Sequence, residues 1–396
     1  MSGPLTGMRV MDFTRALAGP HCTLLLGDMG AEVIKIERVN GGDEVRRMGP
    51  PFINGESAAF MASNRNKKSL TIDLKNPRGR EICVRLAQWA DVLVENFRPG
   101  VMKGLGLDYP ALSQVNPRLI YCSISGFGQT GPMSDQGGYD TVAQGMGGIM
   151  LVTGVPNGPP VKAGVPIIDL GTGMFGALGV LAAYIARQQT GKGQHIDTSL
   201  LDCSVALGLI DGSDYLASGE LPVPLASAHR RIAPHGAFKT KDGYITIAAD
   251  SAPQTWKTLC QILGKEEIET DPRLADNTQR RKNLPLLIDK IEEATTARES
   301  AFWLEKLQAA GIPCGPVNNY DKVFQHPQVL ARNLLVENTH PKAGRVKMVG
   351  KPLKFSDTPA TELTPSAALG AHTTVILQSL GYSIDEIEQL RKEQVV

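Results

Sequence analysis

Paired cysteines, clustered histidines and a surplus of either charge are all missing from this chain of 396 residues, and each absence removes a class of function. The six cysteines (Cys22, Cys83, Cys122, Cys203, Cys260, Cys314) lie far apart with no Cys-x-x-Cys step. The histidines form no group at zinc-ligand spacing, so neither a disulfide framework nor a metal site is predicted. Scattered thiols fit a reducing compartment, and a cytoplasmic location is expected. Lys and Arg number 41 against 40 Asp and Glu, which leaves no global field to draw nucleic acid or an anionic membrane; any anion has to be held locally. The opening Met1-Ser-Gly-Pro-Leu-Thr-Gly-Met8 lacks the basic and then apolar order of a signal peptide. The longest apolar stretch, 174–186, is interrupted by Gly176, Gly179 and Tyr184 and falls short of the roughly 20 residues that cross a bilayer, so it is expected to be a buried core helix.

What is present is an alternation of short apolar runs with helical patterns. Val10-Met-Asp-Phe13 and Glu32-Val-Ile-Lys-Ile-Glu37 read as strands around a helix at 22–29. Strands at 70–73, 92–94, 119–123 and 195–199 continue the series, with a helix at 77–90 that Asn76 caps. Strands separated by helices predict an α/β fold with a mostly parallel sheet. Residues 126–138 are too rich in glycine for regular structure and read as a binding loop, followed by a helix over 139–150. A strand at 165–168 and a long helix at 171–189 come next. The character changes near residue 220: 237–248 reads as a hairpin turning at Asp242-Gly243, and helices follow near Trp256, 284–294 and 300–310. Strand-like text returns at 334–355, and helices at 371–380 and from a capping box at Ser383 and Glu386 end the chain. The division expected is a large α/β domain from 1–200 and 341–396, a small α+β domain at 225–318, and linkers at 201–224 and 319–340.

Asp169 is the leading candidate for chemistry, because it ends the predicted strand at 165–168 and opens a helix of small residues, Gly171, Gly173, Gly176, Ala177 and Gly179. A carboxylate at a helix amino terminus is held in its ionised, nucleophilic form by the dipole and the free N–H groups, and glycines let a ligand approach closely. Spacing alone favours a plain N-cap, since Asp is among the preferred residues there.

Further segments carry a family resemblance across nearly the whole chain. They are Asp12-Phe-Thr-Arg-Ala-Leu-Ala-Gly-Pro20, Gly30-Ala-Glu-Val-Ile-Lys-Ile-Glu-Arg38, Asn64-Arg-Asn-Lys-Lys-Ser69, Glu95-Asn-Phe-Arg-Pro-Gly100, Gly126-Phe-Gly-Gln-Thr-Gly-Pro132 and Gly138-Tyr-Asp140. Thr190-Gly-Lys-Gly193, Gly311-Ile-Pro-Cys-Gly-Pro316 and Gly370-Ala-His-Thr373 complete the set. Together with Asp169 they resemble the class III coenzyme A-transferases, the formyl-CoA transferase or CaiB/BaiF type, and among these the succinyl-CoA:dicarboxylate enzymes.

The resemblance implies a Rossmann-like large domain built from both chain ends with a smaller inserted domain, and ring-like protomers interlocked as a homodimer. It implies Asp169 as catalytic nucleophile, acyl-CoA and carboxylic acid as substrates, and no permanently bound cofactor. For CoA it implies contacts from Arg15, Ala16, Leu17 and Ala18, from Arg38, Ile72 and Lys75, and from Asn96, Phe97 and Tyr139. Gly104 and Gly137 stand where formyl-CoA transferases carry basic residues, and Lys103 is expected to replace one of those charges. Asp140, His229 and Arg46 are carried as candidate substrate contacts, with Arg15 or Arg46 the choice for a distal carboxylate. The glycine loop is expected to stabilise an oxyanion and exclude water.

The nearest rival is an α-methylacyl-CoA racemase, which needs two bases about one α-carbon. Racemases have His before the Asp at the Gly-Tyr-Asp step, and the tyrosine here, with a reference pKa near 10, suits a base poorly. A nicotinamide dehydrogenase lacks its Gly-x-Gly-x-x-Gly turn, since Ala18-Gly-Pro20 follows the first strand. A non-catalytic CoA-binding module is disfavoured by the intact surroundings of Asp169.

Overall fold

Six parallel strands form the central sheet of the computed structural model, which describes residues 3–359 and 362–396. They are β1 (Arg9–Asp12), β2 (Glu32–Glu37), β3 (Lys67–Thr71), β4 (Val92–Glu95), β5 (Ile120–Ser125) and β6 (His195–Ser199), in the order β3-β2-β1-β4-β5-β6. Val10 of β1 pairs with Val33 on one side and Val92 on the other. β1, β4 and β5 are buried almost throughout because helices cover both faces, as parallel sheets require. On one face lie Ile82 and Leu86 of the helix Pro77–Trp89, with Ile376, Leu377, Ile387 and Leu390 from the last two helices. The opposite face is covered by Cys22 and Leu26 of α1 (Ala18–Asp28) and by Ala177 and Val180 of a long helix described below. Both chain ends build this unit: Asp73 N–H donates to the Val395 carbonyl, and Thr71 N–H to the Thr373 hydroxyl. The predicted caps form, Asn76 accepting from Arg78 N–H and Ser383 exchanging bonds with Glu386.

This strand order reverses direction between β1 and β4, and in open α/β sheets ligands bind beyond the carboxyl ends of the strands at such a reversal. The segments that leave those two strands are the Thr14-Arg15-Ala16 turn and the Asn96-Phe97 pair.

Several boundaries differ from the expectation. Residues 165–168 are not a strand: the helix α3 runs Ile167–Thr190, so Asp169 stands in its first turn and Pro166 takes the N-cap position. Proline lacks the N–H of a ladder, and the run is too short to pair. The helix expected over 139–150 is two pieces, α2 (Asp140–Met146) and Ile149–Val152. Much of the segment 201–224, expected as linker, lies in helices Leu200–Leu207 and Leu209–Ser218, the first capped by Ser199. The segment 319–340 likewise carries helices Tyr320–Val323 and Pro327–Ala331 and a strand, Leu335–His340, paired with Gly344–Val349.

α3 is also only partly the buried core helix expected over 174–186. Its small side, Gly173, Gly176, Ala177 and Val180, faces the core, and a Cβ on Gly173 would come within 2.6 Å of the Ala18 carbonyl on α1. Its other side leaves Met174, Leu178 and Ile185 exposed, and Leu209, Ile210 and Leu216 of a following helix are exposed as well.

By contact, the described residues up to Met150, Lys162–Glu220 and those from Leu330 onward form one unit; Leu151–Val161 and Leu221–Val329 form the second. In the second, strands His235–Lys239, Tyr244–Ala248 and Cys314–Pro316 make an antiparallel sheet. Trp256, Leu259, Ile291, Trp303 and Leu307 fill its core.

Candidate active site

At the end of β1 a buried ionic network shapes the chain. Asp12 accepts from Thr14 N–H and hydroxyl at 2.8 and 2.5 Å and from the Thr23 hydroxyl at 2.7 Å, and pairs with Lys67 Nζ at 3.1 Å. Lys35 on β2 donates to the Thr14 carbonyl at 2.7 Å and pairs with Asp43 at 2.9 Å, both side chains being essentially inaccessible. Burial works against the charge on Lys35, but Asp12 and Asp43 outweigh it and hold its pKa above the usual value. In Lys67 burial prevails over Asp12 and brings the ammonium down to about 8. The turn these groups hold places Ala16 at φ +62°, a backbone region that L residues occupy only under external constraint. The Asn96 side chain pairs with Arg15 in both directions, accepting from its N–H at 2.8 Å and donating to its carbonyl at 2.7 Å. Asn96 thus positions the turn, which the motif alone did not reveal.

The glycine loop returns on itself after β5. A Cβ on Gly126 would lie 2.6 Å from Gly138 N, so the two ends of the loop touch backbone to backbone and deliver Tyr139 and Asp140 beside the sheet edge. Within it Gly128 N–H is bound to Ser125 and Gln129 N–H to Asp197. The N–H groups of Gly137, Gly138 and Tyr139 have no acceptor among the described residues.

Asp140 begins α2 and works as the missing cap of α3. Its Oδ2 accepts from Ile168 N–H at 2.9 Å and Asp169 N–H at 3.2 Å, and its Oδ1 from the Gln144 amide at 2.5 Å. Three of its acceptor sites are therefore engaged by the scaffold, which gives it a positioning role. The Asp169 carboxylate, by contrast, accepts no hydrogen bond from the described residues.

Two cavities lie at the strand reversal. The first, about 180 Å³, is lined by Arg15, Ala16, Leu17, Ala18, Asn96, Phe97, Tyr139 and Asp169, and also by Glu44, Arg98 and Gly137. The second, about 240 Å³, is lined by Arg38, Ile72 and Lys75, and shares Arg15 and Phe97 with the first. The Arg15 guanidinium lies over the Phe97 ring, 4.8 Å from its centre, on this shared wall. Three candidates are not among the residues that line either cavity. Arg46 turns inward, its Nε and Nη2 bound to Glu37 at 2.7 Å and its guanidinium stacked on Phe60. Lys103 is exposed on the short helix Val101–Leu105 and lines neither cavity. His229 belongs to the second unit, where its Nδ1 accepts from Arg231 and Ile232 N–H and its ring stacks on His235. Arg98 and Glu44 were not singled out from sequence.

The helix end was expected to favour the ionised form of Asp169. Burial, with a smaller contribution from the Asp140 charge, instead pushes its carboxyl up to about 6. At pH 7 about nine-tenths of it remains ionised, and the higher basicity makes a better nucleophile. Turnover under kcat/KM conditions is expected to hold steady above pH 7 and fall through a midpoint near 6 as the carboxylate is protonated. Asp140→Asn, which keeps an acceptor for the α3 amides but removes the charge, is expected to move that midpoint down. An unmoved acid limb would assign it to another group.

The family model described as CoA-transferase family III matches residues 5–373. The succinyl-CoA:glutarate CoA-transferase of Mus musculus is 43% identical over 389 residues, 98% of this chain and 89% of that protein. The succinate–glutarate CoA-transferase of Agrobacterium fabrum is 40% identical, covering 95% of this chain and 96% of the other. Among solved structures, a CAIB/BAIF family protein from Brucella suis superposes with a TM-score of 0.88 at 40% identity, over 96% of this chain and all of that one.

Proposed function

The chain belongs to CoA-transferase family III, and from that premise we propose that it moves CoA from succinyl-CoA to a dicarboxylate such as glutarate, with Asp169 as the covalent carrier. The observation that carries this is the unbonded Asp169 carboxylate in one cavity with the free N–H groups of Gly137, Gly138 and Tyr139.

Asp169 attacks the donor thioester carbonyl, and the oxyanion that forms is met by the loop N–H donors. Collapse expels CoA thiolate and leaves a mixed anhydride. The thiolate attacks the aspartyl carbonyl of the anhydride, which gives an aspartyl-CoA thioester and releases the donor acid as carboxylate. The acceptor carboxylate attacks that thioester, again expelling thiolate and forming a second anhydride. Attack of the thiolate on the acceptor's acyl carbonyl yields the new acyl-CoA and restores the Asp169 carboxylate. The adenosine end of CoA fits the second cavity, with Arg38 and Lys75 for its phosphates and Ile72 and Phe97 for adenine. The pantetheine crosses the shared wall at Arg15 and Phe97.

Succinyl-CoA incubated with glutarate is expected to give glutaryl-CoA and succinate in equal amounts by mass spectrometry, with no deuterium entering the acyl α-carbon from heavy water. Hydrolysis alone, or α-proton exchange without transfer, would contradict the proposal.

A second copy of the chain covers the exposed apolar residues of α3 and of the helix Leu209–Ser218, a patch of the kind that marks an interface. Light scattering is expected to return twice the chain mass at every dilution; a species of single chain mass would exclude an obligate homodimer.

A further inference from the structure

The cavity that holds Asp169 has two guanidinium groups on its wall, and they differ in what already occupies them. Arg15 is stacked on Phe97 and faces Glu44 at 3.8 Å. Arg98 has neither a hydrogen-bond nor an ion-pair partner for its side chain among the described residues. It follows Asn96 and Phe97 directly and lies against the returning end of the glycine loop. A Cβ on Gly137 would stand 2.9 Å from its Nη2 and 3.2 Å from its Cζ and Nε, so the absence of a side chain at 137 gives the guanidinium its place. Arg38 and Arg46 are engaged by Glu44 and Glu37 respectively. Arg98, exposed to solvent, lines the reaction cavity and not the second one.

We propose that Arg98 is the residue that selects dicarboxylates: its guanidinium holds the distal carboxylate of the acceptor while the other carboxylate reacts at Asp169. This rests on the transferase reading above. The planar fork of an arginine matches a carboxylate with two parallel hydrogen bonds, and no neighbouring anion competes for it. Glu44, on the wall beside Arg15, repels a second carboxylate from that end and leaves Arg98 as the uncompensated cation.

Arg98→Met keeps the stem that packs on the loop and removes the charge, and Arg98→Lys keeps the charge without the fork. With the CoA donor saturating, Arg98→Met is expected to raise KM for glutarate about 10- to 100-fold, the loss of a charge-assisted pair, with kcat changed less than about threefold. Arg98→Lys is expected to lie between, and the affinity for free CoA, read by calorimetry, to stay at the wild-type value in both. An unchanged KM for glutarate in the two variants overturns the assignment, as does a loss of free-CoA affinity of the same size, which would place Arg98 in the CoA site. If the unmodified enzyme transfers CoA to no acid at all, the transferase reading fails and not the role of Arg98 within it.

Discussion

Replacing Asp169 by alanine is expected to reduce CoA transfer by at least about 10³-fold, because the carboxylate is a reactant and no neighbour can stand in for it. Asp140, whose charge acts on it, already accepts three hydrogen bonds from Ile168, Asp169 and Gln144. The fold is expected to survive. Its folded pKa of about 6 lies above the unfolded value near 3.9, so the ionised group opposes folding at neutral pH, and its removal leaves stability equal or higher. Binding of free CoA, measured by calorimetry, is expected to persist. A variant that keeps more than about one percent of wild-type transfer would remove Asp169 from the mechanism.

The largest expected effect on stability lies under the site. Lys35→Met leaves the Asp43 carboxylate and the Thr14 carbonyl buried without their cation and takes one of two countercharges from Asp12. Breaking such a pair from one side costs about 3–5 kcal/mol, since the remaining charge has no water to turn to. The denaturant midpoint of the variant should fall accordingly. Lys35→Met with Asp43→Asn should recover part of the loss, because an amide oxygen still serves the N–H of Val45 without stranding a charge. A single variant within about 1 kcal/mol of wild type would mean that water or a counter-ion reaches this cluster.

How much of this was visible in the sequence depends on how far each residue's partner lies along the chain. Strands β1, β2 and β4 announce themselves by apolar runs, and the cap at Ser383 is legible because Ser and Glu stand three residues apart. The start of α3 was not legible. Its first amides are satisfied by Asp140, 28 and 29 residues earlier, and the apolar text before Asp169 reads equally as strand. The large apolar residues of α3 suggested a buried helix, whereas close approach to α1 admits only its small ones. Lys35 and Lys67 look like ordinary polar positions, and only the fold brings Asp12 and Asp43 to them.

The resemblance named the Asn96-Phe97 pair and Gly137, and Lys103 was expected to restore a missing charge. The signal for Arg98 was present in the same motif, one residue beyond Phe97, and acquired meaning only when Gly137 was seen lying against its guanidinium. Arg46 had the right chemistry for a carboxylate, but Glu37, nine residues earlier on β2, takes its Nε and Nη2 edge.

The account turns on a covalent link between CoA and Asp169. Enzyme mixed with succinyl-CoA, quenched with hydroxylamine and digested, is expected to show the peptide carrying Asp169 converted to its hydroxamate, in proportion to the acyl-CoA supplied. Sustained transfer of CoA to glutarate with that peptide unmodified would contradict it.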